Sequence, residues 1–154
     1  MRKDSKKISE FEKKNVKILK SNILYDGEMD KECIPLCNAM NAVKGIITTE
    51  SCCGHGKAPF KIFFKVTSFK GLFFITRCID RRYFKYGYKW TCEITVGDMI
   101  IDGILPTFFY LHSEDVGEEA YKQANDLVKN MNLHLNHKNF MKGFGLDLED
   151  FEWE

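Results

Sequence analysis

Apolar and polar positions in this chain of 154 residues follow two periods, one helical and one of two residues. From Lys31 to Val43, Leu36, Met40 and Val43 recur at helical spacing, with Cys37 beside them. Pro35 falls in the first turn, where its missing N–H costs little, and Gly45 supplies a stop. The period then shortens. Ile46 to Glu50 is a β-branched run, and Phe60, Ile62, Phe64 and Val66 alternate with Lys61, Phe63 and Lys65 as a half-buried strand does. Ser68 is placed to cap a second helix over Phe69 to Phe84. Leu72, Ile75 and Ile79 lie on its core face, and Arg77, Arg81 and Phe84 on another. After a turn at Tyr86-Gly87-Tyr88, Trp90, Cys92, Ile94 and Val96 again alternate with polar neighbours, and Pro106 to His112 reads as a further strand. Asp115 with Glu118 resembles a capping box before a third helix, whose stripe is Ala120, Ala124, Leu127 and Met131.

The predicted order is α-β-β-α-β-β-α. Strands joined by short connections favour antiparallel pairing. The expectation is an α+β fold, a mostly antiparallel sheet with helices on one face. The whole chain, 1–154, reads as one domain with a lysine-rich arm over about residues 1–15 and an acidic, aromatic tail over about 145–154. Between these, Val16 to Leu24 suits an edge strand, Tyr25 to Glu28 a turn, Asp102-Gly103 a hairpin tip or loop, and Asn139 to Gly145 a loop.

Composition narrows the class. Hydrophobic residues at 44% and charged residues at 29% fit a globular chain rather than a disordered one. A net charge of +1 provides no global basic field, so charge alone does not argue for nucleic acid. Met1-Arg2-Lys3 is followed by polar residues, and no apolar run is long enough to span a membrane. A cytoplasmic protein with no membrane partner is the expectation, and its six cysteines are then expected as reduced thiols. Cys33, Cys37, Cys78 and Cys92 fit core or near-core packing.

The chemistry concentrates in Thr48 to Lys57. This stretch contains Thr49, Glu50, Ser51, Cys52, Cys53, Gly54, His55, Gly56 and Lys57. Adjacent cysteines before Gly-His-Gly make a poor helix and a poor strand interior, but a good loop for close approach of backbone to a ligand. A strand feeding such a loop can present several N–H groups to an anion, and Lys57 adds a cation. Arg77, Arg81 and Arg82 offer forked donors suited to phosphate, or else a solvated face paired with Asp80 or with the acidic tail. Tyr83, Tyr86, Tyr88 and Trp90 offer faces for a base to stack on. If the second helix packs beside the loop, the two form a phosphate-binding corner, and the leading expectation is a binding module for a phosphate-bearing small molecule. Zinc is an alternative through Cys52, Cys53 and His55, although no second ligand pair follows at metal-binding spacing. A thiol-based catalyst is another, from the proximity of Cys53 and His55, with Glu50 as the candidate orienting acid. His112, His134 and His137 have no site context in the sequence.

The run from the first helix through Gly45 and Ile46-Ile47-Thr48-Thr49-Glu50-Ser51-Cys52-Cys53-Gly54-His55 resembles the wybutosine-synthesis methyltransferase family that acts on tRNA. That family carries a Thr-Thr strand and a Ser-Cys-Ser-Gly-Arg turn, where this chain has Cys53 and His55. The resemblance implies an AdoMet-dependent enzyme as an alternative to the binding module. The fuller Ser51-Cys52-Cys53-Gly54-His55-Gly56 form looks like that of small bacteriophage and Firmicute proteins. By analogy of size and site, this implies sequestration of a nucleotide signal of host defence. Finally, Leu146, Leu148, Phe151 and Trp153 lie among the carboxylates of the tail, which suggests docking and a homo-oligomer.

Overall fold

In this computed structural model, residues 29–96 and 107–136 are described. The expected N-terminal arm, the edge strand and turn before residue 29, the Asp102-Gly103 tip, the 139–145 loop, His137 and the acidic tail with its docking role lie outside the described residues.

A short 3-10 turn, Lys31–Cys33, leads into helix α1, Ile34–Asn41. The expected helix thus starts as a tighter turn, with Pro35 in the first turn of the α-helix proper. Leu36, Cys37, Ala39 and Met40 are buried, and Val43 continues their stripe beyond the helix. Gly45 turns the chain at φ +87, a left-handed conformation that suits glycine. Strands β1, Ile46–Cys52, and β2, Pro59–Val66, follow, separated by a 3-10 turn at Gly54–Gly56. Helix α2 spans Phe69–Cys78. A 3-10 turn at Gly87–Lys89 precedes β3, Trp90–Val96. Strand β4, Thr107–Val116, runs directly into α3, Gly117–Asn136.

The α+β class and the antiparallel sheet agree with expectation, while three 3-10 turns break up the regular alternation of helix and strand pairs. Two boundaries move. The second helix ends at Cys78 rather than near Phe84, because Asp80 draws the chain into a turn: its carbonyl accepts the Tyr83 and Phe84 amides. Phe84 consequently points inward and is buried. Asp115 is no helix cap: it sits in β4 and accepts from Lys89 Nζ at 2.8 Å and from Gln123 Nε2 at 2.6 Å.

The sheet order is β1-β2-β4-β3, with every neighbouring pair antiparallel. Phe60, Ile62 and Phe64 of β2 lie on one face and are fully buried. Leu111 of β4 pairs with Ile62 and also with Cys92, so it shares that face. The apolar residues of the three helices join the same core: Leu36 and Met40 from α1, Phe74 and Ile75 from α2, and Ala120, Ala124, Leu127 and Met131 from α3. The expected stripe of the third helix is buried throughout. On the opposite face, Phe63, Tyr110 and His112 form a stacked ladder, each step 5.3 Å between ring centroids. Glu93 accepts a hydrogen bond from Tyr110 and lies 3.6 Å from His112 Nε2. His112 therefore has a structural setting that its sequence neighbours did not reveal.

One contact joins α1, β1 and α2 at a corner. A Cβ added at Gly71 of α2 would lie 2.5 Å from the Lys44 carbonyl oxygen. Gly→Ala inside a helix ordinarily stabilises by up to about 1 kcal/mol. Here a backbone atom would have to move, and overpacking of this kind costs about 1–3 kcal/mol. Gly71→Ala is expected to lower stability, seen as a lower urea midpoint at unchanged slope; an unchanged or raised midpoint would show that the corner yields.

Candidate functional site

Strand β1 takes in part of the motif expected as loop. A register shift between Thr48 and Glu50 leaves Thr49 as the extra residue. Glu50 lies opposite Phe63, Ser51 opposite Ile62 and Cys52 opposite Lys61. Ser51 and Cys52 are therefore strand residues, and the loop proper starts at Cys53.

Three consecutive residues there adopt left-handed backbone: Gly54 at φ +78, His55 at +50 and Gly56 at +77. The two glycines adopt it without steric cost, and His55 is of a type found there more often than most. The result is a tight coil that turns its amides inward. Cys53 N–H donates to Asp30 Oδ2 at 2.8 Å, Gly54 N–H to Cys52 Sγ at 3.3 Å and His55 N–H to Cys53 Sγ at 3.4 Å. Gly56 N–H bonds the Tyr121 hydroxyl. The Lys57 and Ala58 amides both reach the Gly54 carbonyl, at 3.0 and 2.9 Å. Every amide from Cys53 to Ala58 is thereby engaged within the protein. The expected backbone cradle for an anion is not formed, because sulfur, carboxylate and phenol already hold the donors.

The same coil builds a cluster. Cys53 is buried at 3% exposure. His55 Nδ1 lies 3.8 Å from Cys53 Sγ, and its Nε2 lies 3.8 Å from Asp30 Oδ2. The Tyr121 hydroxyl, from the first turns of α3, donates to Cys53 Sγ at 3.6 Å. Burial pushes the Cys53 thiol up, opposed by the His55 amide and the Tyr121 hydroxyl. The phenol of Tyr121 is in turn pushed up to about 12 by its bond to Cys53. Asp30 and Tyr121 were not read from the sequence as site residues. They lie 23 and 68 residues from Cys53, and no local pattern links them. Glu50, the acid expected to orient His55, instead occupies the opposite sheet face beside Phe63. Lys57 is exposed.

The arginines stand elsewhere. Helix α3 abuts the loop at its start, where the Cβ position of Gly117 is 3.7 Å from Gly56 Cα. It meets the end of α2 much later, where Asn130 Nδ2 donates to the Cys78 carbonyl at 2.7 Å. From Tyr121 to Asn130 the helix rises about 13 Å. Arg81 and Arg82 follow α2 and line a groove with Trp90, Thr91 and Cys92 of β3. That strand is at the far edge of the sheet from β1. The phosphate-binding corner expected between loop and arginines is therefore not assembled.

The groove has a volume of about 630 Å³ and is also lined by Thr76, Asp80 and Tyr88. Asp80 is the organiser of its charges. It accepts from Arg82 through the backbone N–H at 2.9 Å, Nε at 3.0 Å and Nη2 at 2.9 Å, and from Arg77 Nη1 at 3.3 Å. Arg77 also lies over the Phe73 ring at 4.6 Å. Arg81 is exposed and makes no ion pair among the described residues. Asp80 thus engages two of the three guanidinium groups, those of Arg77 and Arg82. Tyr88 is 69% exposed, whereas Trp90 is buried with its indole N–H on Gln123 Oε1 at 2.9 Å.

No known family model matches this chain, and no curated protein or solved structure matches it either. Among the described residues, no helix is long and apolar enough to cross a membrane.

The hydrogen bonds from Arg82, aided by the charge of Arg77, hold the Asp80 carboxyl well below the usual carboxylate range. An unfolded aspartate titrates near pH 4. The folded value is lower, so this contribution to stability is complete above about pH 4 and is lost as pH falls through the folded value. Asp80→Asn is expected to be less stable than wild type at pH 7, with the gap in urea midpoint narrowing below about pH 4. A gap independent of pH would mean that the carboxylate charge is not what stabilises the turn.

Proposed function

We propose that this protein is a binding module for a phosphate-bearing small molecule, a nucleotide in the first instance, held in the groove beside Arg81, Arg82 and Tyr88. The observation that supports this reading is an open groove of about 630 Å³, within the size range of small-ligand sites, that brings a surplus of guanidinium charge next to an exposed aromatic ring. Arg81 follows α2 and makes no ion pair with an acid among the described residues. A guanidinium so placed can grip phosphate oxygens with two parallel hydrogen bonds. Asp80 fixes the Arg82 side chain in place, so less rotamer freedom is lost on binding. Tyr88 offers a ring face for a base, a contact worth about 1–3 kcal/mol in single-stranded nucleic-acid sites. Lys89 Nζ lies 5.8 Å from the centre of that ring and is anchored by Asp115 at 2.8 Å, which steadies the wall. Sequestration of a nucleotide signal needs affinity alone and is the role that suits such a groove.

Calorimetry against nucleoside mono-, di- and cyclic phosphates tests this. Saturable heat is expected for at least one, with Arg81→Ala weakening binding by about tenfold or more, the loss of one charge-assisted contact of at least about 1.4 kcal/mol. Folded wild-type protein that gives no heat with any of them would overturn the reading.

A further inference from the structure

We infer that Asp30, Cys53 and His55 form a mononuclear site for a divalent cation of the zinc class, with one coordination position left open. One donor atom from each residue lies within 4.8 Å of the other two. Zinc takes sulfur at about 2.3 Å and nitrogen or oxygen at about 2.0–2.2 Å, which at a tetrahedral angle separates donors by about 3.4–3.6 Å. The imidazole is already 3.8 Å from the sulfur and 3.8 Å from the carboxylate, through different ring nitrogens. A pivot of the His55 side chain, which is 69% exposed, presents one nitrogen to both partners.

The donor set selects the ion. A thiolate disfavours magnesium and calcium, which take oxygen ligands. A single thiolate beside imidazole and carboxylate falls short of the all-sulfur sets of iron–sulfur clusters. Mixed sulfur, nitrogen and oxygen ligation is ordinary for zinc. The surroundings suit a coordinated thiolate as well. His55 N–H and the Tyr121 hydroxyl are both directed at Cys53 Sγ, at 3.4 and 3.6 Å, and Asp30 Oδ2 is fixed by the Cys53 amide at 2.8 Å. Such outer contacts orient ligands and stabilise sulfur charge. Coordination exchanges the S–H bond for a sulfur–metal bond, with the proton leaving to solvent.

The competing chemistry for these three side chains is a thiol nucleophile with His55 as base and Asp30 as orienter. In the geometry shown, the carboxylate and imidazole, 3.8 Å apart, make no hydrogen bond, and titration with Co²⁺ separates the two chemistries. Three protein ligands also separate this site from a structural zinc, which is closed by four. The fourth position takes water or an oxygen of an anionic ligand.

The test is titration of chelator-stripped, full-length protein with Co²⁺, whose thiolate complexes absorb by sulfur-to-metal charge transfer. About one equivalent is expected to bind with that absorption, and elemental analysis after Zn²⁺ loading and desalting is expected to give the same ratio. Cys53→Ser should abolish the absorption. His55→Asn should weaken Co²⁺ binding by at least about tenfold with unchanged circular dichroism, since asparagine tolerates the left-handed backbone at this position. Wild-type protein without the absorption would overturn the inference, as would a band that survives Cys53→Ser or that depends on Cys52 instead. Arg81→Ala is expected to leave Co²⁺ binding intact, so failure of the metal site and failure of the nucleotide groove are read separately.

Discussion

Left-handed backbone at three successive residues shapes the loop after β1. Left-handed backbone from Gly54 to Gly56 turns six successive N–H groups toward the protein. Each meets a sulfur, a carboxylate, a phenol or a carbonyl. Two consequences follow from that one constraint. The loop has no donors left to cradle an anion, and its acceptors are drawn together into a compact group. A motif that reads as an anion receptor in one dimension is a cluster of electron-pair donors in three.

The sheet decides what that cluster can work with. Strand β2 buries Phe60, Ile62 and Phe64 in the core that the three helices share, which fixes its register with β1 and β4. Helix α3 crosses from the loop, where Tyr121 meets Cys53, to the end of α2, where Asn130 meets Cys78. The arginines therefore gather at the β3 edge, out of reach of the loop. Among the described residues, two chemically distinct places stand apart: a soft-donor cluster at the β1–β2 connection and a groove lined by Arg81, Arg82 and Tyr88 at the far edge.

Charge in the groove is set by one acid. Asp80 ties down Arg82 and Arg77, while Arg81 carries an uncompensated charge among the described residues. By sequence alone, these arginines suit either a ligand or pairing with Asp80 or the acidic tail. Asp80 pairs with two of the guanidinium groups, and the third, Arg81, is exposed, as is Tyr88.

Periodicity by itself determined most of the architecture. The stripe of Ala120, Ala124, Leu127 and Met131 and the alternation of Phe60, Ile62 and Phe64 are found where a one-dimensional reading places them, because burial repeats with the period of the element. The expected β3 alternation holds for Trp90 and Cys92 but not for Ile94 and Val96, which lie exposed on this edge strand. The irregular backbone of Cys53 to Gly56 was legible too, since two glycines flanking a histidine suit no regular element. Three things depended on tertiary structure. Strand β1 extends to Cys52 because Lys61 lies opposite to pair with it. Asp115 becomes a strand anchor for Lys89 because the chain brings the turn before β3 alongside β4. Above all, Asp30 and Tyr121 reach Cys53 from segments far away in sequence, and the arginines do not. Which side chains share a site is settled by how helices cross the sheet, and local spacing along the chain carries no record of that crossing.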